Sequence, residues 1–313
     1  MKTLVTGVAG FIGSHLAEKL LAEGREVVGV DSFLDNYPRS FKDKNLAAFS
    51  GHTNFQFVGA DLLRLDLKDL LRDVSHVFHL AGQPGVRSSW GGEFNRYTDN
   101  NIMATQLLLE AAKERPLAKF VYASTSSVYG DTDDLPMRED GGTRPVSPYG
   151  ASKLAAEHLC HLYWRAFAVP TVALRFFTVY GPRQRPDMFF HIFMRALRRG
   201  EEVPLYDDGE QTRDFTFCAD IVDGVLAAGR YPGQGEVFNL GGGSEVSLLH
   251  AIALAEAIAG RKGRLRRFDR QKGDVRHTSA RLDWAREKLG YAPKVGLEEG
   301  LTEQWKWLRE SAD

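Results

Sequence analysis

The segment Ser147-Pro148-Tyr149-Gly150-Ala151-Ser152-Lys153 sets a phenol and an ammonium four residues apart. On a helix, that spacing puts both side chains on one face. Ser147 is a good N-cap and Pro148 a good first helical residue, so a helix is expected to begin just before the pair. A free tyrosine keeps its proton up to pH about 10. A neighbouring ammonium favours the phenolate and would make Tyr149 a general base nearer to neutral pH. A lone Y-x-x-x-K pair often arises by chance, as a surface aromatic and a solvated lysine. Its company decides the matter.

The first companion is Gly7-Val8-Ala9-Gly10-Phe11-Ile12-Gly13, between an apolar run at Thr3–Thr6 and a helical pattern at His15–Glu23. A strand–turn–helix with glycines in the turn lets backbone approach a pyrophosphate and aims a helix N-terminus at it. The spacing is G-x-x-G-x-x-G, which differs from G-x-G-x-x-G in its first gap; the context gives it specificity. Asp31 ends the second strand, 18 residues after Gly13. A carboxylate there accepts bonds from the adenosine ribose and repels a 2′-phosphate, which predicts NAD over NADP. Asp61-Leu62 follows the third strand, where the carboxylate either meets the adenine amino group or caps a helix. The fourth strand ends in Leu80-Ala81-Gly82, whose small residues would let a cofactor pass over the sheet edge. The expected cofactor site is thus Gly7, Gly10, Phe11, Ile12, Gly13, Asp31, Asp61, Leu62, Leu80, Ala81 and Gly82, with Tyr149 and Lys153 at its nicotinamide end. A positive nicotinamide would favour the phenolate further.

The second companion is the hydroxyl run Ser124-Thr125-Ser126-Ser127 at the end of the fifth strand. Ligands bind at such strand ends in open α/β sheets. One hydroxyl can bridge the phenol and a substrate alcohol; the plainer reading is a capped turn. Glycine turn, hydroxyls and Tyr149/Lys153 together point to redox chemistry at an alcohol carbon.

These residues need a sheet to hold them. Short apolar runs at Thr3–Thr6, Val27–Val30, Phe55–Val58, Val77–Leu80, Phe120–Ala123 and Val172–Phe176 read as strands buried on both faces. Helical patterns at His15–Glu23, Ile102–Lys113 and Ala151–Ala166 lie between several of them. That alternation predicts an α/β fold with a doubly wound parallel sheet. The polar segment Ser32–Ser50 reads as a surface excursion. Beyond Phe176, helices are expected at Phe189–Arg199, Ala219–Ala228, Leu248–Ala259 and Glu298–Arg309, with strands at Arg213–Phe217 and Val237–Leu240. The expected division is a dinucleotide-binding domain over 1–176, rejoined by part of 213–240, and a smaller α/β substrate lobe over 177–313.

Of the 313 residues 43% are hydrophobic, enough for a sizeable core, and the net charge of −1 offers no general attraction for nucleic acid or anionic membrane. Cys160 and Cys218 lack paired spacing, which argues against a metal or disulfide framework and for a reducing compartment. Glycines interrupt the apolar run at the N-terminus, and no apolar stretch is long enough for a bilayer. A cytoplasmic protein is expected.

Gly7/Gly10/Gly13, Asp31, the Ser124–Gly130 run and Tyr149/Lys153 together resemble the extended short-chain dehydrogenase/reductases that act on nucleotide sugars. The resemblance continues through Arg175-Phe176-Phe177-Thr178-Val179-Tyr180-Gly181-Pro182, Gln211-Thr212-Arg213-Asp214-Phe215 and Gly273-Asp274-Val275-Arg276-His277-Thr278, and so runs nearly the whole chain. It implies that Thr125 is the catalytic hydroxyl beside Tyr149 and Lys153, and that Asn100 supports the cofactor. Arg213, Asp274 and Arg276 would belong to the site of a UDP-sugar; guanidinium forks suit a diphosphate. Dehydratases of that family carry an Asp-Glu pair where this chain has Ser126-Ser127, and sugar-acid decarboxylases a glutamate at the position of Ser126. What remains is 4-epimerisation. Gln83-Pro84-Gly85-Val86-Arg87 and Gly181-Pro182-Arg183-Gln184-Arg185-Pro186-Asp187-Met188 look most like UDP-glucuronate 4-epimerases, with Pro84 a departure from alanine. The resemblance therefore implies a substrate site of Arg87, Ser126, Ser127, Thr178, Arg185, Arg213, Asp274 and Arg276. Glucose/galactose epimerases, which carry Asn at the position of Thr178, are the nearest alternative; a non-catalytic NAD-binding scaffold is the remote one. Relatives of this type are similar to dimers joined by a four-helix bundle. Glu93–Lys113 and Tyr149–Ala166 would form it here, with Leu159, Leu162 and Trp164 on the second apolar face.

Overall fold

The computed structural model of this protein describes residues 2–311. Its first half lays down β1 (Lys2–Thr6), α1 (Phe11–Ala22), β2 (Glu26–Val30), α2 (Arg39–Ala47), β3 (Phe55–Val58), α3 (Leu67–Leu70), β4 (Val74–His79), α4 (Phe94–Tyr97), α5 (Ala104–Ala112), β5 (Lys119–Thr125), α6 (Pro148–Phe167) and β6 (Thr171–Phe176). These strands, with a later one, form a single parallel sheet. Its order from one edge is β3, β2, β1, β4, β5, β6 and then β11 (Glu236–Leu240). The order reverses between β1 and β4, and the glycine turn after β1 sits at that switch point, where ligands enter doubly wound sheets.

The interior strands are apolar on both faces because helices cover both. Val5 and Val121 are buried in one cluster with α1, while Leu4, Val77 and Phe120 are buried in the other with α5 and α6. The edge strand β3 departs from the expectation of burial on both faces: Gln56 and Phe57 are exposed, since no strand covers its outer side.

The second half opens with β7 (Thr178–Tyr180), α7 (Phe189–Arg199), β8 (Glu202–Tyr206), β9 (Thr212–Arg213), β10 (Phe215–Phe217) and α8 (Cys218–Arg230). After β11 come β12 (Val246–Ser247), α9 (Leu248–Ala259), β13 (Arg264–Phe268), α10 (Asp283–Leu289) and α11 (Leu297–Glu310). The helix α8 returns to the first half, since Ile221 and Val225 share a core with Leu16 and Leu20 of α1. A third cluster, from α7, α9, α11 and β8, forms a separate core in the second half of the chain. The strand expected over Arg213–Phe217 is two strands with different partners: β9 pairs with β12 and β10 with β7. Asp214 interrupts them. Its fully buried carboxylate takes backbone N–H bonds from Gly242 and Ala280, at 2.5 and 3.1 Å, and turns the chain there.

The segment Ser32–Ser50 is corrected from a surface excursion. It carries α2, whose Lys42, Asn45 and Leu46 are buried. Asn45 Nδ2 donates to the carbonyl of Ala9, inside the glycine turn, at 3.0 Å. Polar residues hid this helix because their partners are polar.

Candidate active site

The glycine turn is built for close backbone contact. A Cβ on Gly13 would lie 2.1 Å from the carbonyl oxygen of Gly7, and Gly7 itself has φ +71°. Neither position accepts a side chain. The turn opens onto a cleft along the C-terminal ends of β1, β2, β4 and β5. Gly7, Gly10, Phe11, Ile12 and Gly13 line it, as do Asp31, Asp61 and Leu62 from the adenosine side. Leu80, Ala81, Gly82 and Asn100 line its middle, and Tyr149, Lys153 and Arg185 its far end. A chain of glycines at one end, a carboxylate beyond the second strand and a phenol–amine pair at the other end fit an extended dinucleotide.

Asp31 is not the bare carboxylate that the sequence suggested. Its Oδ1 accepts from Phe33 N at 2.8 Å and from Lys42 Nζ at 3.1 Å, and its Oδ2 from Ala9 N at 3.1 Å. Lys42 and Asp31 are both buried. A 2′-phosphate would thus meet a neutralised pair, so repulsion by Asp31 alone is a weaker argument for NAD than its position implied. Asp61 does cap a helical turn, accepting from Leu63 N at 3.0 Å, while still facing the cleft.

Asn100 lines the cleft and donates to Arg96 O at 2.8 Å. Its neighbour Asn101, not expected from sequence, is more deeply engaged. It is buried, accepts from Gln83 N at 2.7 Å and donates to Gln83 O at 3.1 Å and Ser152 Oγ at 2.9 Å. One side chain thereby holds the loop after β4 to the residue preceding Lys153. It can do so because Thr98–Met103 widens into a π-turn ahead of α5, where the expected helix Ile102–Lys113 is regular only from Ala104; such turns frequently mark functional sites. A buried relay fixes the turn. Ala81 N donates to Thr6 Oγ1 (3.1 Å), Thr6 pairs with His79 Nδ1 (2.7 Å), His79 Nε2 pairs with Thr105 Oγ1 (3.0 Å), and Thr105 donates to Asn101 O (2.7 Å). Thr105 spends its proton on the carbonyl, so His79 must carry its own on Nε2 and accept at Nδ1. Burial, with Lys153 nearby, pushes His79 down to about 3 and keeps it neutral.

The helix α6 begins as the sequence predicts: Ser147 Oγ accepts from Gly150 N at 3.1 Å, and Pro148 is its first residue. Gly150 must be small, because a Cβ there would sit 2.6 Å from Ser127 O. That contact brings α6 against the hydroxyl run. Thr125 donates to Ser127 Oγ at 3.3 Å and accepts from Ser127 N at 3.2 Å, and its hydroxyl favours the ionised form of the Tyr149 phenol. Lys153 Nζ points elsewhere, 4.4 Å from the Tyr122 ring centroid and beside Gly82. Burial raises the Tyr149 phenol above its ordinary value, against the pull of Thr125 and Arg185, and burial lowers Lys153 to about 7. The expected depression of the phenol by Lys153 is not seen: the groups that pull the phenol down are Thr125 and Arg185, and desolvation outweighs them. A phenolate here needs additional positive charge.

The predicted substrate residues fall into two groups. Ser126 and Ser127 lie in the turn after β5, next to Thr125, and Thr178 opens β7, its N–H bonded to Asp214 O at 3.0 Å. The arginines are occupied by the chain itself. Arg213 donates to the carbonyls of Thr212, Val275 and Arg276. Arg276 pairs with Asp207 and Asp208 at 3.1 and 2.8 Å, and Arg185 with Asp187 at 3.0 Å. Arg87 reaches Asp274 at 2.8 Å and covers the Tyr206 ring at 3.9 Å. Asp131, unremarked in the sequence, joins the same strap by accepting from Arg276 N and Arg270.

Residues 3–241 match the model of the NAD dependent epimerase/dehydratase family, and the chain belongs to that family. A crystal structure of UDP-glucuronic acid 4-epimerase from Bacillus cereus, in complex with UDP-glucuronic acid and NAD, is 44% identical, covers 99% of each chain and superposes with a TM-score of 0.97. The UDP-glucuronate 4-epimerase of Thermodesulfobacterium geofontis (strain OPF15) is 37% identical over 99% of this chain and 97% of its own. A Bacillus subtilis (strain 168) protein described as an uncharacterized UDP-glucose epimerase, YtcB, is 46% identical over 98% of each chain.

Proposed function

We propose that this protein is an NAD-dependent 4-epimerase of UDP-glucuronate, forming UDP-galacturonate through a 4-keto sugar. The observation that carries the choice is the turn after β5. Ser126 and Ser127 follow Thr125 directly with neutral hydroxyls, where elimination of water would need an acid pair. NAD supplies the hydride acceptor at C4 and returns the hydride to the opposite face. Tyr149 takes the proton of the 4-hydroxyl, with Thr125 sharing the hydrogen bond, and gives it back after the sugar has turned. Lys153 supports the nicotinamide ribose and the phenolate. Arg185, Arg213 and Arg276 hold the diphosphate as the sugar swings, so most binding energy belongs on the nucleotide. Ser126, Ser127 and Thr178 hold the sugar carboxylate with neutral donors, out of the alignment in which the β-keto acid would lose carbon dioxide.

The division of labour we assign is a cofactor domain over 1–176 rejoined by part of 213–240, and a UDP-sugar lobe over 177–313. We place the protein in the cytoplasm: Cys160 and Cys218 are free and buried, and among the described residues no helix is long and apolar enough to cross a membrane. A homodimer through the segments Glu93–Lys113 and Tyr149–Ala166 is supported by the exposed apolar side chains of Met103 (46%) and Leu162 (57%). Trp164 is not part of the argument, since it packs over Gly235 of the same chain.

The test is a proton NMR time course of purified protein with UDP-glucuronate, beside UDP-glucose, without added NAD. Conversion of the acid alone supports the reading. Conversion of UDP-glucose alone would keep the mechanism and overturn the substrate.

A further inference from the structure

Below the reacting groups lies a buried carboxylate that the mechanism above does not use. Glu157 follows Lys153 by four residues, so Tyr149, Lys153 and Glu157 occupy one stripe of α6. Its Oε2 accepts from Ser124 Oγ at 2.6 Å and from Arg175 Nε at 3.1 Å, and its Oε1 from Arg175 Nη2 at 2.6 Å. Both charged side chains are only 5% exposed. Ser124 directly precedes Thr125 on β5, and Arg175 is its partner in the β5–β6 register. Arg175 continues outward, donating to Glu139 O at 3.2 Å and lying 4.7 Å from the centroid of the Tyr129 ring. One carboxylate therefore ties the helix that carries the phenol and the amine to the strand that carries the hydroxyl.

A buried ion pair is a poor way to gain stability. Two charges lose their hydration, and an apolar pair of similar volume commonly does as well or better. What the bidentate pair does give is geometry: two parallel N–H···O bonds fix the distance and rotation between α6 and β6, and the serine bond adds β5. Thr125 must meet the phenol at hydrogen-bond distance, and a misplacement of about 1 Å can cost about a hundredfold in rate.

We propose that Glu157, held by Arg175, is a positioning residue for the reaction: it sets the height of Thr125 against Tyr149 and keeps a negative charge one turn below Lys153. The inference rests on the catalytic reading of Tyr149, Thr125 and Lys153 given above. Glu157 touches neither substrate nor cofactor; it acts through Ser124 and Lys153.

The test compares three variants of the full-length, cofactor-loaded protein, each assayed for turnover of UDP-glucuronate across pH. E157Q is expected to lower kcat about 10- to 100-fold, with KM within about twofold of wild type. Its alkaline limb should move to lower pH, because Lys153, already held down by burial and supported by Glu157, loses that support. E157M/R175M removes both charges, so no unpaired ion is left to unfold the protein; it should show the same loss of kcat. S124A keeps the ion pair and cuts only the tie to β5, and it should lower kcat several-fold in the folded protein. A purely structural role would lower the melting temperature of E157Q while the folded protein kept wild-type kcat and pH profile, and that result overturns the proposal. Wild-type kcat in E157M/R175M, or in S124A should the double variant not fold, overturns it equally. Y149F run alongside separates the two levels: full turnover in Y149F rejects the catalytic reading itself, whereas its loss with E157Q unaffected rejects only the positioning role.

Discussion

At the glycine turn the polar groups facing the cleft are held in place by the chain. Asn45 fixes Ala9, Lys42 fixes Asp31, and Asn101 fixes the loop after β4. Across the cleft, the arginines we assign to the diphosphate are engaged with groups of the chain itself: Arg276 with two aspartates, Arg213 with three carbonyls, Arg185 with Asp187. The cofactor side is thus preorganised, while the substrate side is closed on itself. The difference suits a cycle in which NAD is regenerated at every turnover and stays, whereas the nucleotide sugar enters and leaves. Binding the sugar exchanges one set of charge-assisted hydrogen bonds for another, which favours release over tight capture.

That contrast can be broken at either side. The largest effect is expected from Gly13→Ala, since a methyl 2.1 Å from the Gly7 carbonyl must displace the turn. The purified variant should carry no NAD, read from its absorbance ratio and from titration calorimetry; a normal NAD content would show the turn to be adaptable. Tyr149→Phe sits at the seam of the two sides. It should lower kcat on the order of a thousandfold while both ligands still bind, and retention of turnover would refute the proton-transfer role. Arg276→Ala should raise KM for the UDP-sugar about tenfold and leave NAD content unchanged. If KM instead falls, the released Asp207 and Asp208 were not competing with the substrate and the closed side is misread. The smallest effect is expected from Thr178→Ala: a few-fold rise in carbon dioxide relative to epimer, measured by NMR, since one neutral donor of about three is lost. An unchanged ratio would remove Thr178 from carboxylate control.

The legible parts of the molecule share one property: their signal is local. The glycine turn, the cap at Ser147 and the Tyr149/Lys153 stripe each lie within seven residues of sequence, and the apolar runs announced the strands of the large sheet. What stayed hidden depends on distant partners. The parallel pairing of β8 with β13 joins Glu202–Tyr206 to Arg264–Phe268, and the latter's four charged or exposed positions give no alternation of apolar residues. The helix α2 is polar because it faces Asp31 and a carbonyl. Asn101 looks like its neighbour until the π-turn rotates it inward. Glu157 and Arg175 lie on a helix and a strand, and only the packing of α6 on the sheet shows that they meet.

The relay through His79 has a practical consequence. An imidazole locked in one tautomer, with its Nε2 proton bonded to Thr105 and sealed from water, exchanges that proton slowly. Such a proton gives a resonance well separated from the amides, and its lifetime measures how often the π-turn opens. The protein therefore carries a built-in spectroscopic clock at the junction of Ala81 and Asn101. Following that single line as NAD is added would time the loosening or tightening of the cofactor floor without any label.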